Sequence, residues 1–408
     1  MAEWSCEGGS RHSPGIGELD RRRMLMGGAA ALAVLPGSLP GSLPGFLTES
    51  EAAGAAADTL GALAGRCGLR FGSAFDTEAL DAPEYGELIL RQSTHVGNLN
   101  SFKYDWLRGE GVTADFTNAD RLLRVATHAG LPFTAATLFW NDYPPAWLKS
   151  QSTSELRYLF DAHVDEVVGR YAGRVAAWGV VNEPFAPWDN EPGHYRKGPW
   201  YAAFGPGYVA RAFVRARGAD PNCRLILNEA FCERRDWIGT AVRPALAGLV
   251  RRLRDDGVPF DVVGLQGHVQ PQHGLDHPAF ADFMNTLSTI GVKLEITELD
   301  VDDTSIGGTL AERDAAVARH YREFLGAVIE VDALDGITTW GLSDRYTWYR
   351  EVAAAEKRAK PRAPRPLPFD ESLLPKPAFY AIAQAFREGA RHRAVGARIE
   401  RSKAHNTP

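Results

Sequence analysis

From Arg66 onward the chain repeats one unit: a short run rich in Val, Ile, Leu and Phe, a polar end, then a longer stretch with helical spacing. A strand covered on both faces reads as a nearly unbroken apolar run, because neither side meets water. Eight such runs predict strands over 69–75, 95–101, 132–140, 175–183, 224–229, 261–269, 293–301 and 336–344. Between them the spacing predicts helices, clearest over 118–129, 154–171, 208–217 and 310–328. Asp220-Pro221-Asn222 and Asp256-Gly257-Val258-Pro259 mark helix exits. Eight strands alternating with helices predict an α/β fold, a single (β/α)8 TIM barrel; an open doubly wound sheet is the competing topology. No glycine-rich phosphate loop follows any strand, so a nucleotide-binding sheet lacks its usual support.

Polar and aromatic residues gather where the runs end: Asn100, Lys103, Trp140, Asn182, Glu183, Gln266, His268, Glu298, Asp300, Trp340 and Trp348. In a barrel these ends share one face, so residues far apart in sequence surround a single cleft. Glu183 closes the fourth run and Glu298 lies near the end of the seventh. Two carboxyl groups across a barrel mouth are what glycosidic bond cleavage needs, one giving a proton and the other meeting an oxocarbenium-like centre. A separation of about 5–5.5 Å would make the reaction retaining. Asp300 falls two positions after Glu298, on the same side of a strand. A histidine such as His268 beside both would favour ionised Glu298, the form a nucleophile needs. Glu183, near Phe185 and Trp188, is expected to stay protonated through desolvation and the charge of Glu298, as a general acid requires.

The remaining composition narrows this reading without redirecting it. The 408 residues are 45% hydrophobic and 24% charged, enough for one large barrel, and the net charge of −6 argues against a nucleic-acid partner. Residues 1–57 do not read as fold. Arg21-Arg22-Arg23 precedes the apolar run Gly27 to Leu35, too short to span a bilayer, which predicts a twin-arginine-type export signal rather than a membrane anchor. A Pro/Gly/Ser linker follows, and the expected product is a periplasmic or extracellular monomer. Residues 58–388 form the expected catalytic domain and 389–408 a basic tail. Of four cysteines, Cys223 and Cys232 read first as small buried hydrophobes, with a bridge between them the alternative if the protein is exported. No metal or cofactor motif appears.

At this point the sequence resembles glycoside hydrolase family 10, the endo-1,4-β-xylanase family, over about Arg66 to Phe386. Trp178-Gly179-Val180-Val181-Asn182-Glu183-Pro184 is similar to the family's W-D-V-V-N-E-x acid/base segment, and Ile296-Thr297-Glu298-Leu299-Asp300 to its nucleophile motif I-T-E-L-D. Gly264-Leu265-Gln266-Gly267-His268, Thr339-Trp340-Gly341-Leu342-Ser343-Asp344 and the closing Pro366–Tyr380 segment extend the likeness. The resemblance implies Glu183 as acid/base, Glu298 as nucleophile and Asn182 on the sugar 2-hydroxyl. It also implies Asn100 and Lys103 on the non-reducing side, Trp340 and Trp348 as walls, and Gln266 and His268 as nucleophile support. Departures fall in the sugar-reading positions. Leu99 replaces a glutamate, Ala136 and Asn141 replace the histidines of H-T-L-V-W-H, and Tyr143 stands where glutamine is usual. Xylan is the default substrate. The alternatives are a barrel glycosidase for a β-glucan or other oligosaccharide, and a weakly catalytic polysaccharide-binding protein. The basic segment 356–366 is expected to be a solvated loop, or a contact for acidic side groups on xylan.

Overall fold

A computed structural model describes residues 58–109, 111–351 and 362–405, with side chains as far as Arg391. The export segment, Cys6 and most of the basic segment, including Lys357, Arg358 and Lys360, lie outside the described residues. Eight parallel strands form the barrel: β1 (Arg70–Phe75), β2 (His95–Asn98), β3 (Phe133–Trp140), β4 (Ala177–Asn182), β5 (Arg224–Glu229), β6 (Val262–Leu265), β7 (Lys293–Val301) and β8 (Leu334–Thr339). Neighbours pair in the order β6-β5-β4-β3-β2-β1-β8-β7, and β6 pairs with β7 to close the ring. The closed barrel is the predicted topology, and the open sheet is excluded.

Strand alternation sends one set of side chains to the surrounding helices and the other into the barrel. Outward-facing Phe139 stacks on Phe160 of the helix Thr153–Tyr171, and Trp178 meets Tyr171 and Phe102. That helix starts in a capping box, Ser152 with Glu155, and the helix Leu310–Val328 repeats the device with Thr309 and Glu312. The interior is unusual in its small residues. Barrels are ordinarily filled by bulky branched side chains; here Gly72, Gly97, Gly179, Gly264, Ala74 and Ala136 occupy inward positions. At the N-terminal end Arg70 and Arg224 cross to Glu295 and Asp335, a charge-balanced quartet that seals the bottom.

Four strands end earlier than the apolar runs suggest, each for a local reason. β2 stops at Asn98 because the carboxylate of Asp76 takes the amides of Asn100 and Ser101 and turns the chain. β4 stops before Glu183, whose φ is +48°. The sixth run breaks at Gly267, φ +76°, leaving His268–Val269 as a short second piece beside β7. The eighth strand breaks off before Gly341, φ +91°.

Cys223 and Cys232 are free, buried thiols, the favoured reading, and the alternative bridge does not form. They flank β5 at opposite ends, roughly 20 Å apart for six extended residues, against the ~7 Å limit for Cα atoms of a disulfide. At the C-terminus one helix runs from Pro377 to His405, straight through residue 388. Of the basic segment's described residues, Arg365 pairs bidentately with Asp314 and Arg362 donates to the carbonyl of Asp303, so both are tied to the body of the barrel.

Candidate active site

One pocket of about 300 Å³ opens at the C-terminal ends of the strands. Lys103, Trp140, Asn182, Glu183, Gln266, His268, Glu298, Trp340 and Trp348 all line it. Two of the eleven strand-end residues act from behind. Asn100 accepts from Lys103 Nζ at 2.8 Å, and the fully buried Asp300 holds His268.

Glu183 is built into its place. Its left-handed backbone costs about 1 kcal/mol or more for a residue with a Cβ. The conformation is held by its amide donating to Asn228 O at 2.9 Å and by Arg196 Nε donating to its carbonyl at 3.0 Å. The carboxylate accepts four hydrogen bonds. Gln266 Nε2 (2.7 Å) and Asn182 Nδ2 (3.2 Å) reach Oε1; Arg196 Nη2 (2.8 Å) and Trp140 Nε1 (3.2 Å) reach Oε2. Arg196 is itself buried, and its other arm meets Asp142 at 2.8 Å. Burial works against that guanidinium charge, but Glu183 and Asp142 outweigh it and hold the group above its ordinary value. Trp188 is not against the carboxylate; its half-exposed ring lies 5.3 Å from the Arg196 guanidinium. A cation therefore stands where only desolvation and negative charge were expected.

Glu298 sits inside β7, where the pairing with β8 shifts register between Ile296 and Leu299, and has fewer partners. Oε1 accepts from Asn228 Nδ2 at 2.7 Å, and Oε2 lies 3.3 Å from His268 Nε2. The other ring nitrogen of His268 contacts Asp300 at 2.9 Å. Burial opposes protonation of this imidazole, yet Asp300 and Glu298 together raise it well above the usual histidine range. The ring is a cation clamped between two carboxylates. Asp300 is fixed in turn by Trp348 Nε1 (2.8 Å) and Tyr349 Oη (3.2 Å).

A chain of amides joins the two halves. Asn228 donates to both Glu298 and Asn182, and Asn182 donates to Glu183. Thr297 orients Asn228 through a 2.6 Å bond, and Gly264 leaves the space, since a Cβ there would stand 2.5 Å from Asn228 Oδ1. The Gln266 side chain goes to Glu183 and Asn182 rather than to Glu298, which its carbonyl alone reaches. Gln266 thus supports the acid/base end, because it leaves β6 before Gly267 turns the chain toward His268.

Asn228 was legible by the rule that found the others, since it lies at a strand end. Arg196 was not, because it arrives on a loop with no periodic pattern. Of the four departures, Ala136 and Tyr143 line the pocket. Asn141 instead accepts from the amides of Trp200 and Tyr201 and caps a short helix, and Leu99 is not part of the lining. Half-exposed Tyr143 packs on Trp140, ring centroids 4.8 Å apart. Lys103 Nζ stands 5.3 Å from the Trp140 ring and 5.7 Å from Trp340, bridging the two walls.

Comparison with known proteins agrees with this arrangement. The sequence model of Glycosyl hydrolase family 10 matches residues 59–385. Endo-1,4-beta-xylanase C of Phanerodontia chrysosporium is 31% identical over 335 residues, 80% of this chain and 78% of that protein. Endo-1,4-beta-xylanase B of Thermotoga neapolitana is 29% identical over 315 residues, 77% of this chain and 86% of that protein. Among solved structures, native xylanase 10B from Thermotoga maritima superposes with a TM-score of 0.72 at 27% identity, covering 82% of this chain and all of that one. Xylanase 10B from Thermotoga petrophila RKU-1, solved with xylobiose, gives 0.72 at 26% identity, covering 82% of this chain and 98% of that one.

Proposed function

The chain belongs to glycosyl hydrolase family 10, and from that premise we propose that it cleaves β-1,4 bonds within xylan by double displacement, Glu298 as nucleophile and Glu183 as acid/base. The observation that carries the assignment is the asymmetry between the carboxylates: Glu298 alone is paired with a histidine cation. His268, held by Asp300, fixes one oxygen of Glu298 and Asn228 fixes the other, which aims the carboxylate for attack.

In the first step Glu298 attacks the anomeric carbon as the glycosidic C–O bond breaks, and Glu183 gives its proton to the departing oxygen. An ester between the sugar and Glu298 results. Glu183, now a carboxylate, takes a proton from water, whose oxygen attacks the same carbon; the ester breaks and Glu298 is restored. Asn182 fits the role of a 2-hydroxyl partner, because Nδ2 carries a second hydrogen beyond the one given to Glu183. Trp340 and Trp348 supply apolar faces on which sugar rings stack.

Export by the twin-arginine route completes the reading, supported by Arg21-Arg22-Arg23 and the apolar run behind them. Replacing Arg21, Arg22 and Arg23 with lysines should retain the enzyme in the cytoplasm; unchanged export would contradict this route. The substrate reading is tested by reducing-sugar release on xylan, glucuronoxylan, arabinoxylan and β-glucan, beside Glu183→Ala and Glu298→Ala controls. Release from xylans that both substitutions abolish is the expected result. Release from β-glucan alone would overturn it.

A further inference from the structure

The cleft does not end at the two glutamates. The pocket they line continues past Asn98 and Ala136 to Ile226, Thr338 and His95, down into the barrel interior. Its depth has a local origin. Ala136 on β3 and Gly179 on β4 are register partners, and a Cβ on Gly179 would stand 2.8 Å from that of Ala136. Both positions therefore face the same spot, and neither fills it. The motifs this chain resembles carry histidine and aspartate at these positions, side chains that the same register would set against each other. Losing one alone would leave a buried polar group without its partner. Losing both leaves a neutral hollow.

The walls of this hollow limit what fits. Ala136, Gly179, Gly97 and Ile226 offer hydrocarbon and backbone. His95 Nε2 lies 2.8 Å from the Thr338 hydroxyl, while its Nδ1, fully buried, has no partner. Burial, with Arg70 and Arg224 nearby, pushes this imidazole down to about 3, so it is neutral at any working pH. Deeper still, Glu295 is compensated by Arg70 at 2.6 Å and Arg224 at 3.1 Å. A compact, uncharged group matches these surroundings. The cation a uronic acid carboxylate would meet is Lys103, up among the strand ends beside Asn100, whereas Arg70 and Arg224 below are already paired.

We propose that this lower compartment receives a short acyl ester, an O-acetyl group, on the 3-hydroxyl of the sugar bound between Glu183 and Glu298. The direction follows from the strand order. Asn182 on β4 is placed at the 2-hydroxyl; the 3-hydroxyl is one ring position farther from the cleaved bond, and β3 and β2, with Ala136 and Asn98, are the next strands round. A hexose hydroxymethyl group projects from the far side of the ring. The inference rests on the reading of the site as a xylanase, and gives that site acetylated xylan as a substrate without prior deacetylation.

After cleavage, the sugar from this site becomes the reducing end of the released fragment. Acetylated xylo-oligosaccharides should be digested in heavy-oxygen water, which marks the new reducing end, and the products mapped by tandem mass spectrometry. Products with acetyl on the marked residue are expected, with kcat/KM within about threefold of the deacetylated substrate. Ala136→Val, which fills the hollow, should lower the acetylated-to-deacetylated ratio about tenfold or more, the scale of one methylene in a tight pocket. Deacetylated chains cut normally with no acetyl on the marked residue would overturn the inference and leave the xylanase reading standing. No cleavage of either substrate would overturn both. The wild-type product map decides the matter even if the variant fails to fold.

Discussion

The two ends of the catalytic cleft are built on opposite plans. Glu183 sits on a left-handed residue just beyond a strand, with four donors on its carboxylate and a buried arginine among them. Glu298 sits within strand β7, at a shift of register against β8, and has two partners, Asn228 and a histidine cation that Asp300 holds in place. The difference teaches which group must move charge and which must keep it. A nucleophile acts with one oxygen from a fixed line of attack, so few, directed contacts suffice. On the proposed reading, an acid that later serves as base changes protonation twice per turnover, and its position must survive both states; donors gathered from three strand ends and one loop achieve that. Arg196 holds Glu183 in place, and its second carboxylate, Asp142, divides its charge between two partners.

The comparison breaks most visibly if the strand-borne carboxylate is removed. Glu298→Ala should lose at least about 10⁴-fold in kcat on any substrate, since no covalent intermediate forms; azide should restore turnover and give the α-glycosyl azide. Glu183→Ala should lose about 10²–10⁴-fold on xylan, the usual contribution of a general acid. In kcat/KM it should lose far less on an aryl xyloside with an activated leaving group, whose departure needs no proton, while kcat still falls because the base of the second step is missing. A smaller effect comes from the cation. Arg196→Gln should lower kcat/KM by about tenfold, because the donor that fixes both the backbone turn and one carboxylate oxygen of Glu183 is gone. Unchanged kcat/KM would show that the other three donors hold Glu183 without it.

The smallest expected effect lies behind the nucleophile. Glu233 is buried with neither oxygen hydrogen-bonded, and burial holds it up at about 7 from an ordinary 4.5, with His268 and Arg234 nearby. Its folded value lies above its unfolded one, so its stabilising contribution is full below about 4.5 and is lost as pH rises through about 7. Glu233→Gln cannot ionise and should gain on the parent across that window, by up to about 3 kcal/mol at alkaline pH. Urea midpoints of the two proteins at about pH 5 and about pH 8.5 measure the gain.

Much of this was legible in the chain itself. Eight apolar runs carry the barrel, since a strand buried on both faces must be apolar throughout, and the same ends deliver Glu183, Glu298, Asn182, Gln266 and His268 to one rim. What escaped notice obeys no period. Arg196 comes from a loop, and its role depends on where that loop folds back. The hollow beneath the sugar depends on Ala136 and Gly179 facing each other, a register concealed by their distance apart in the chain. The Glu183 backbone turn was hidden too, because φ is not written in a strand's hydrophobic pattern.

The central claim, that Glu298 forms the covalent bond and Glu183 moves the proton, has one direct test. Incubation with a 2-deoxy-2-fluoro-xylobioside bearing an activated leaving group slows both steps but restores the first, so the glycosyl-enzyme accumulates. Peptide mapping should place the sugar on Glu298, and NMR of normal turnover should show the β-anomer as first product. A label on Glu183, or an α-anomer with no adduct, would contradict the account.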